Sequence, residues 1–232
     1  MSEQPVRHEM HDLLRARRDK LARLKGLGAD PYPHRFDRSH EAARILEDFG
    51  ALEGKTVSIA GRLMSLRGMG KATFAHLQDG SGRIQAFLRK DDLGEGYALL
   101  DGLDLGDFIG VTGEVMKTKA GEISVKASAL AVLAKSMRPL PVVKEKDGQV
   151  FDAFADKELR YRKRYLDLAV NPQVREVFRK RAAMITAVRA FLDARGFLEV
   201  ETPALQTLYG GAAARPFKTH LNTLDMPLFL RI

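Results

Sequence analysis

At 232 residues, 45% apolar and 29% charged, the chain has the balance of a globular protein of one or two domains. It contains no cysteine, which excludes disulfides, thiolate metal sites and a cysteine nucleophile, and its six scattered histidines predict no metal site. The formal charge of +8 suits a polyanionic partner, while no apolar run nears the ~20 residues of a membrane helix and MSEQPVRHEM lacks the apolar core of a secretion signal, so a cytoplasmic, membrane-free protein is expected.

From Met10 to Lys25, Met10, Leu13, Leu14, Leu21 and Leu24 recur at helical spacing between arginines and lysines, which predicts a basic amphipathic helix. Its charged face suits either solvent or a nucleic-acid backbone, and His8 and His11, one turn apart on it, read as solvated. Gly26 and Gly28 stop it, Pro31 to Pro33 begin an extended connector, and His40 to Phe49 predicts a short helix ending at Gly50.

The period then changes from helical to alternating. Strands are expected around Val57 to Leu63, over Ala72 to Gln78, and over Arg83 to Leu88 after the turn Asp79 to Gly82. A helical interruption spans Asp91 to Leu103, and two more strands cover Phe108 to Lys117 and Glu122 to Leu133. Five strands with a helix between the third and fourth is the order of an OB-fold barrel, a fold that often binds single-stranded nucleic acid on its second and third strands. On that face Phe74 could stack a base or fill the core, and Arg62 and Arg67 could hold phosphate or face solvent.

Pro139 and Pro141 mark a linker, with Lys144 to Gln149 polar. Asn171 reads as the N-cap and Pro172 as the first residue of a helix with an apolar stripe from Val174 to Leu192, ended by Gly196. A short strand is expected over Phe197 to Glu201, stopped by Pro203. The run Gly210 to Ala214 has so little side-chain volume that another backbone or a small ligand can approach it closely.

GFLEVETPAL followed by GGAAARPF resembles the first signature motif and the substrate loop of class II lysyl-tRNA synthetases of bacterial type, and GRLMSLRGMGKATFAHLQDGSGRIQAFL resembles their anticodon-binding barrel. The resemblance covers nearly all of the chain after about Arg17. It implies an α+β multidomain fold: a helical extension (1–54), an OB-fold anticodon-binding domain (55–136), a linker (137–155) and the start of an antiparallel class II catalytic domain (156–232), with the first motif at about 178–205.

It also implies roles for particular residues. Phe74 would stack on an anticodon base and Gln85 would read the central uridine, with Arg62, Arg67 and Glu122 as further anticodon contacts. Gly196, Phe197, Glu199, Glu201 and Pro203 would belong to a homodimer motif, and Gly210 and Gly211 to the pocket for substrate lysine. The family forms a lysyl adenylate with ATP and Mg2+ and transfers the lysyl group to tRNA-Lys. Its ATP-binding arginines come from second and third motifs that do not occur in these 232 residues, so no catalytic residue is expected here and the chain alone should be inactive. Leu221, where the family has a second histidine, and Pro227, inside an expected strand, depart from the pattern. A non-catalytic tRNA-binding or regulatory protein derived from a synthetase is the alternative. An aspartyl or asparaginyl enzyme would share the barrel, but GGAAARPF resembles the lysyl branch.

Overall fold

The computed structural model describes residues 4–141, 144–146, 149–151 and 154–232, with the side chains of 4–10, 144–146 and 149–151 excepted. His8, read above as solvated, therefore lies outside the described side chains. The chain forms two compact units, Met1–Arg162 and Lys163–Ile232.

The first unit opens with α1 (Gln4–Gly26), as the helical spacing requires. Its basic residues do not all face outward. Arg17, Lys20 and Arg23 recur at intervals of three, and this row faces the barrel. Arg17 donates to the carbonyls of Ser136 (2.6 Å) and Leu105 (3.1 Å), Lys20 pairs with Asp104 at 2.6 Å, and Arg23 pairs with Asp101 at 2.7 Å. Leu24 is fully buried on the same side. Gly102 leaves room for it, since a Cβ there would lie 2.6 Å from the leucine branch. Half of the positive charge that suggested a nucleic-acid face is thus occupied in docking the helix.

The expected second helix is divided at Asp48 into α2 (Ala42–Glu47) and α3 (Phe49–Leu52), which places Gly50 within a helix rather than at its end. The division lets Phe49 and Leu52 pack against the core. A six-residue helix is too short to persist on its own, and α2 is capped from a distant loop. Asp79 Oδ2 accepts the Ala42 amide at 2.8 Å and Ser81 Oγ accepts the Ala43 amide at 3.0 Å. Desolvation raises the Asp79 pKa, but the hydrogen bonds from Ala42, Ser81 and Gly82 outweigh it and leave the pKa below the ordinary carboxylate value.

Strands β1 (Thr56–Met69), β2 (Ala72–Gln78) and β3 (Arg83–Arg89) form the meander. A single turn, α4 (Lys90–Leu93), and a 3-10 stretch (Gly94–Gly102) interrupt it before β4 (Phe108–Lys117) and β5 (Ile123–Ala134). The order β1-β2-β3-β5-β4 closes into a barrel, with β3 and β5 parallel and the other pairs antiparallel. This is the expected OB-fold barrel. Val57, Ile59, Leu63, Ala75, Leu77, Ile84, Leu88, Ile109 and Val111 fill its interior. At one end the buried Lys135 ammonium sits between Asp104 (2.5 Å) and Asp107 (2.8 Å), so the charge is paired on both sides.

One irregularity in β1 positions the site. The register against β2 slips between Leu63 and Ser65, so Met64 is a bulge. Before it, the odd-numbered residues Val57, Ile59 and Leu63 point inward; beyond it, Leu66 lies opposite inward Ala75, while Ser65 and Arg67 lie opposite outward His76 and Phe74. The extra residue turns the odd positions out.

Within the expected linker, β6 (Lys144–Lys146) and β7 (Gln149–Phe151) pair as a small antiparallel hairpin, and residues 147–148 of the polar stretch lie outside the described residues. Helix α5 (Lys157–Arg162) ends the unit.

The second unit has α6 (Arg164–Val170), α7 (Pro172–Asp193) and a small sheet of β8 (Leu205–Gln206), β9 (Lys218–Leu221) and β10 (Met226–Leu230) in the order β8-β10-β9. Three local expectations are corrected. Asn171 precedes α7 but makes no side-chain cap; its amide donates backward to buried Asp167 at 2.7 Å. Phe197 to Glu201 forms no strand, because a strand requires a neighbour and none pairs with it among the described residues. Pro227 does not interrupt β10: it lies opposite His220 of β9, while β8 reaches only Phe229 and Leu230, so no amide is required on its open side.

Candidate nucleic-acid interface

On β2, Thr73, Ala75 and Leu77 are buried and Phe74 and His76 alternate outward, so Phe74 belongs to the outer face and not the core. On β3 the same alternation turns Gln85 and Phe87 to that face, opposite His76 and Phe74 respectively. The Phe74 and Phe87 rings stack with centroids 4.8 Å apart and planes 29° from parallel, giving a half-exposed aromatic platform. Arg67, turned outward by the bulge, lies opposite Phe74 on β1.

Beside the platform is a chain of hydrogen bonds. Glu122, from the β4–β5 loop, accepts from Gln85 Nε2 at 2.5 Å through Oε2 and contacts His76 Nε2 at 2.9 Å through Oε1. His76 Nδ1 is 2.7 Å from Ser65 Oγ, and fully buried Ser124 donates to Gln85 Oε1 at 2.7 Å. The loop holds Glu122 in turn, since its amide donates to Thr118 Oγ1 at 3.1 Å.

Ser65, His76, Gln85 and Glu122 line a cavity of about 770 Å³ with the aromatic platform, Met69, Met116 and Lys119, mostly apolar with a polar wall. A smaller cavity of about 590 Å³, reached by Leu46 and Arg83, shares His76, Gln85 and Glu122, so the three side chains form a partition between them. A flat aromatic floor, an edge of directed donors and acceptors, and nearby Arg67 and Lys119 suit an unpaired base and its phosphate.

Of the expected anticodon residues, Arg67, Phe74, Gln85 and Glu122 line one cavity. Arg62 does not. It pairs in register with Gln78, four residues along β2 from Phe74 and roughly 13 Å away at the usual strand rise. There it donates to the Gly106 carbonyl at 3.2 Å and lies 4.3 Å from the Phe108 ring centroid, at a separate cavity of about 410 Å³. Burial lowers its pKa from the ordinary arginine value. His76 and Phe87 were not singled out from the sequence, although extending the alternation by two residues from Phe74 and from Gln85 would have reached both.

In the second unit, Gly210 and Gly211 are exposed with nothing near where a Cβ would be, and Gly211 has φ +98°. Gly196, at φ +79°, follows the end of α7 in the left-handed region that glycine favours. Phe197, Glu199, Glu201 and Pro203 are exposed, with Glu199 held by Arg189 at 3.0 Å. The apolar stripe of α7 is also exposed: Val177, Val188 and Phe191 each keep more than half of their surface.

Two family models match the chain, the OB-fold nucleic acid binding domain over residues 57–133 and the tRNA synthetases class II (D, K and N) over residues 156–232. Over 97% of its length the chain is 55% identical to a lysine–tRNA ligase of Pelotomaculum thermopropionicum and 52% identical to one of Carboxydothermus hydrogenoformans. A lysine–tRNA ligase of Syntrophomonas wolfei is 53% identical over 95% of the chain. The chain spans 43%, 45% and 44% of these relatives, so it is similar to less than half of each.

Proposed function

We propose that this chain, homologous to a part of lysine–tRNA ligases, binds the anticodon loop of tRNA-Lys on the outer face of its barrel. The carrying observation is the Phe74–Phe87 platform bordered by Gln85 and Glu122. A base stacked on Phe74 presents its Watson–Crick edge to the Gln85 amide, which offers a donor and an acceptor side by side, the complement of a uracil O4 and N3–H. Arg67 and Lys119 supply charge for the flanking phosphates, and Arg62 serves a neighbouring nucleotide at the other end of β1.

We further propose the domain division expected above, a cytoplasmic setting, and a homodimer built on the exposed stripe of α7 with Gly196, Phe197, Glu199, Glu201 and Pro203. Gly210 and Gly211 would meet substrate lysine through their backbone. Among the described residues no three His, Asp or Glu side chains are grouped so as to hold a metal ion. The 232 residues by themselves are expected to give no lysine-dependent ATP–pyrophosphate exchange; turnover in that assay would contradict this.

Fluorescence anisotropy with a tRNA-Lys anticodon stem-loop tests the central proposal. Phe74→Ala should weaken binding by about 1–3 kcal/mol, the value of a lost base stack, with thermal stability retained. An unchanged dissociation constant would remove the stack from the reading.

A further inference from the structure

Gln85 can present its amide in two ways. For a base fixed by the aromatic stack, one orientation matches uracil, and the orientation flipped about χ3 matches cytosine, whose donor and acceptor at the same two positions are exchanged. What prevents the flip is therefore a determinant of specificity. Ser124 cannot prevent it alone, because a hydroxyl donates or accepts as required. Glu122 can. An ionised carboxylate only accepts, so the atom 2.5 Å from Glu122 Oε2 must be the Gln85 nitrogen.

Glu122 is itself a loop residue whose side chain is nearly half exposed, and it needs a second anchor to hold that position. His76 is the anchor. Its Nε2, 2.9 Å from Glu122 Oε1, must carry hydrogen because the carboxylate cannot donate. In the neutral ring Nδ1 then accepts from the Ser65 hydroxyl at 2.7 Å. Every bond in the series runs one way: Ser65 to His76, His76 and Gln85 to Glu122, and Ser124 to Gln85.

We infer that His76 is a positioning residue that, through Glu122, holds the Gln85 amide in the orientation that accepts uridine and rejects cytidine at the anticodon centre. The inference rests on the anticodon reading of this face. Ser65 contributes by donating to Nδ1 in the tautomer that Glu122 sets, and the bulge at Met64 turns Ser65 outward to do so.

The test uses the 232-residue chain and two anticodon stem-loops that differ only in a central uridine or cytidine. His76→Leu, and independently Glu122→Gln, whose amide can donate as well as accept, should each reduce the uridine-to-cytidine preference about tenfold, with the melting temperature unchanged. His76→Gln, which keeps a donor for Glu122, should restore most of the preference. An unchanged preference in His76→Leu and Glu122→Gln, or an equal loss in His76→Gln, would overturn the inference while leaving the anticodon site in place. If the wild-type chain bound both stem-loops equally or neither, the site reading would fail and this inference with it.

Discussion

Both units are rich in apolar sequence, and they end in different conditions. In the first, strand closure leaves the barrel no open edge and gathers one cluster from Leu24 to Val132. In the second, the only buried apolar side chains among the described residues are Val174 and Leu228, while the stripe of α7 and the stretch from Phe197 to Val200 face outward. A pattern that defines a helix or strand does not by itself supply the surface that buries it. The barrel supplies its own, whereas the second unit leaves the stripe of α7 exposed.

The largest test of this contrast separates the units. A fragment of residues 1–140 should unfold in one cooperative transition followed by circular dichroism, and limited proteolysis should leave it intact. Residues 163–232 alone should melt without cooperativity and bind a hydrophobic dye. A stable, cooperative second fragment would abolish the distinction.

Single truncations sharpen it further. Leu24→Ala removes a fully buried side chain and should destabilise the first unit by about 2–5 kcal/mol in urea titration. Leu198→Ala, at 85% exposure, should stay within about 0.5 kcal/mol in the same measurement. Comparable losses at both positions would mean that the second unit buries Leu198.

A smaller effect distinguishes the device that joins α2 to the barrel. Asp79→Ala should cost about 0.5–2 kcal/mol, the range of a lost helix cap. Because the folded-state pKa of Asp79 is depressed, its contribution is fully present above the unfolded carboxylate value of about 3.9 and is lost as pH falls through the lower folded value. Melting curves between about pH 2 and 7 should therefore show Asp79→Asn losing least, relative to the native chain, at the acid end. A constant difference across that range would remove the charge from the explanation.

The barrel was legible because alternation along β2 and β3 is a local property: Ala75, Leu77, Ile84 and Leu88 must share one face once the strands form. What the sequence concealed was set by distant partners. Arg17 looks like any surface arginine until carbonyls 88 and 119 residues away claim it. The cap of α2 could not be read from Glu41, since the capping oxygens come from Asp79 and Ser81. At the candidate site, Phe74 and Gln85 carried a visible signal, but the linkage of His76 to Glu122 joins positions 46 residues apart. Phe197 to Glu201 shows the same lesson in reverse, since its alternation is correct for a strand and its neighbour is missing among the described residues.

The bulge at Met64 gives β1 a property that no list of its contacts conveys. Because one surplus residue decides which parity faces out, the facing of the segment from Ser65 to Met69 depends on Met64 staying in the bulge rather than pairing with β2. A substitution at Ser65 or Arg67 alters one side chain. Were Met64 paired as a regular strand residue instead, the whole series would exchange, driving Arg67 toward the interior and bringing Leu66 out, whereas deleting Met64 would leave Ser65 opposite His76 and keep the present facing. The outward facing of Ser65 and Arg67 is thus stored in the register of β1 against β2.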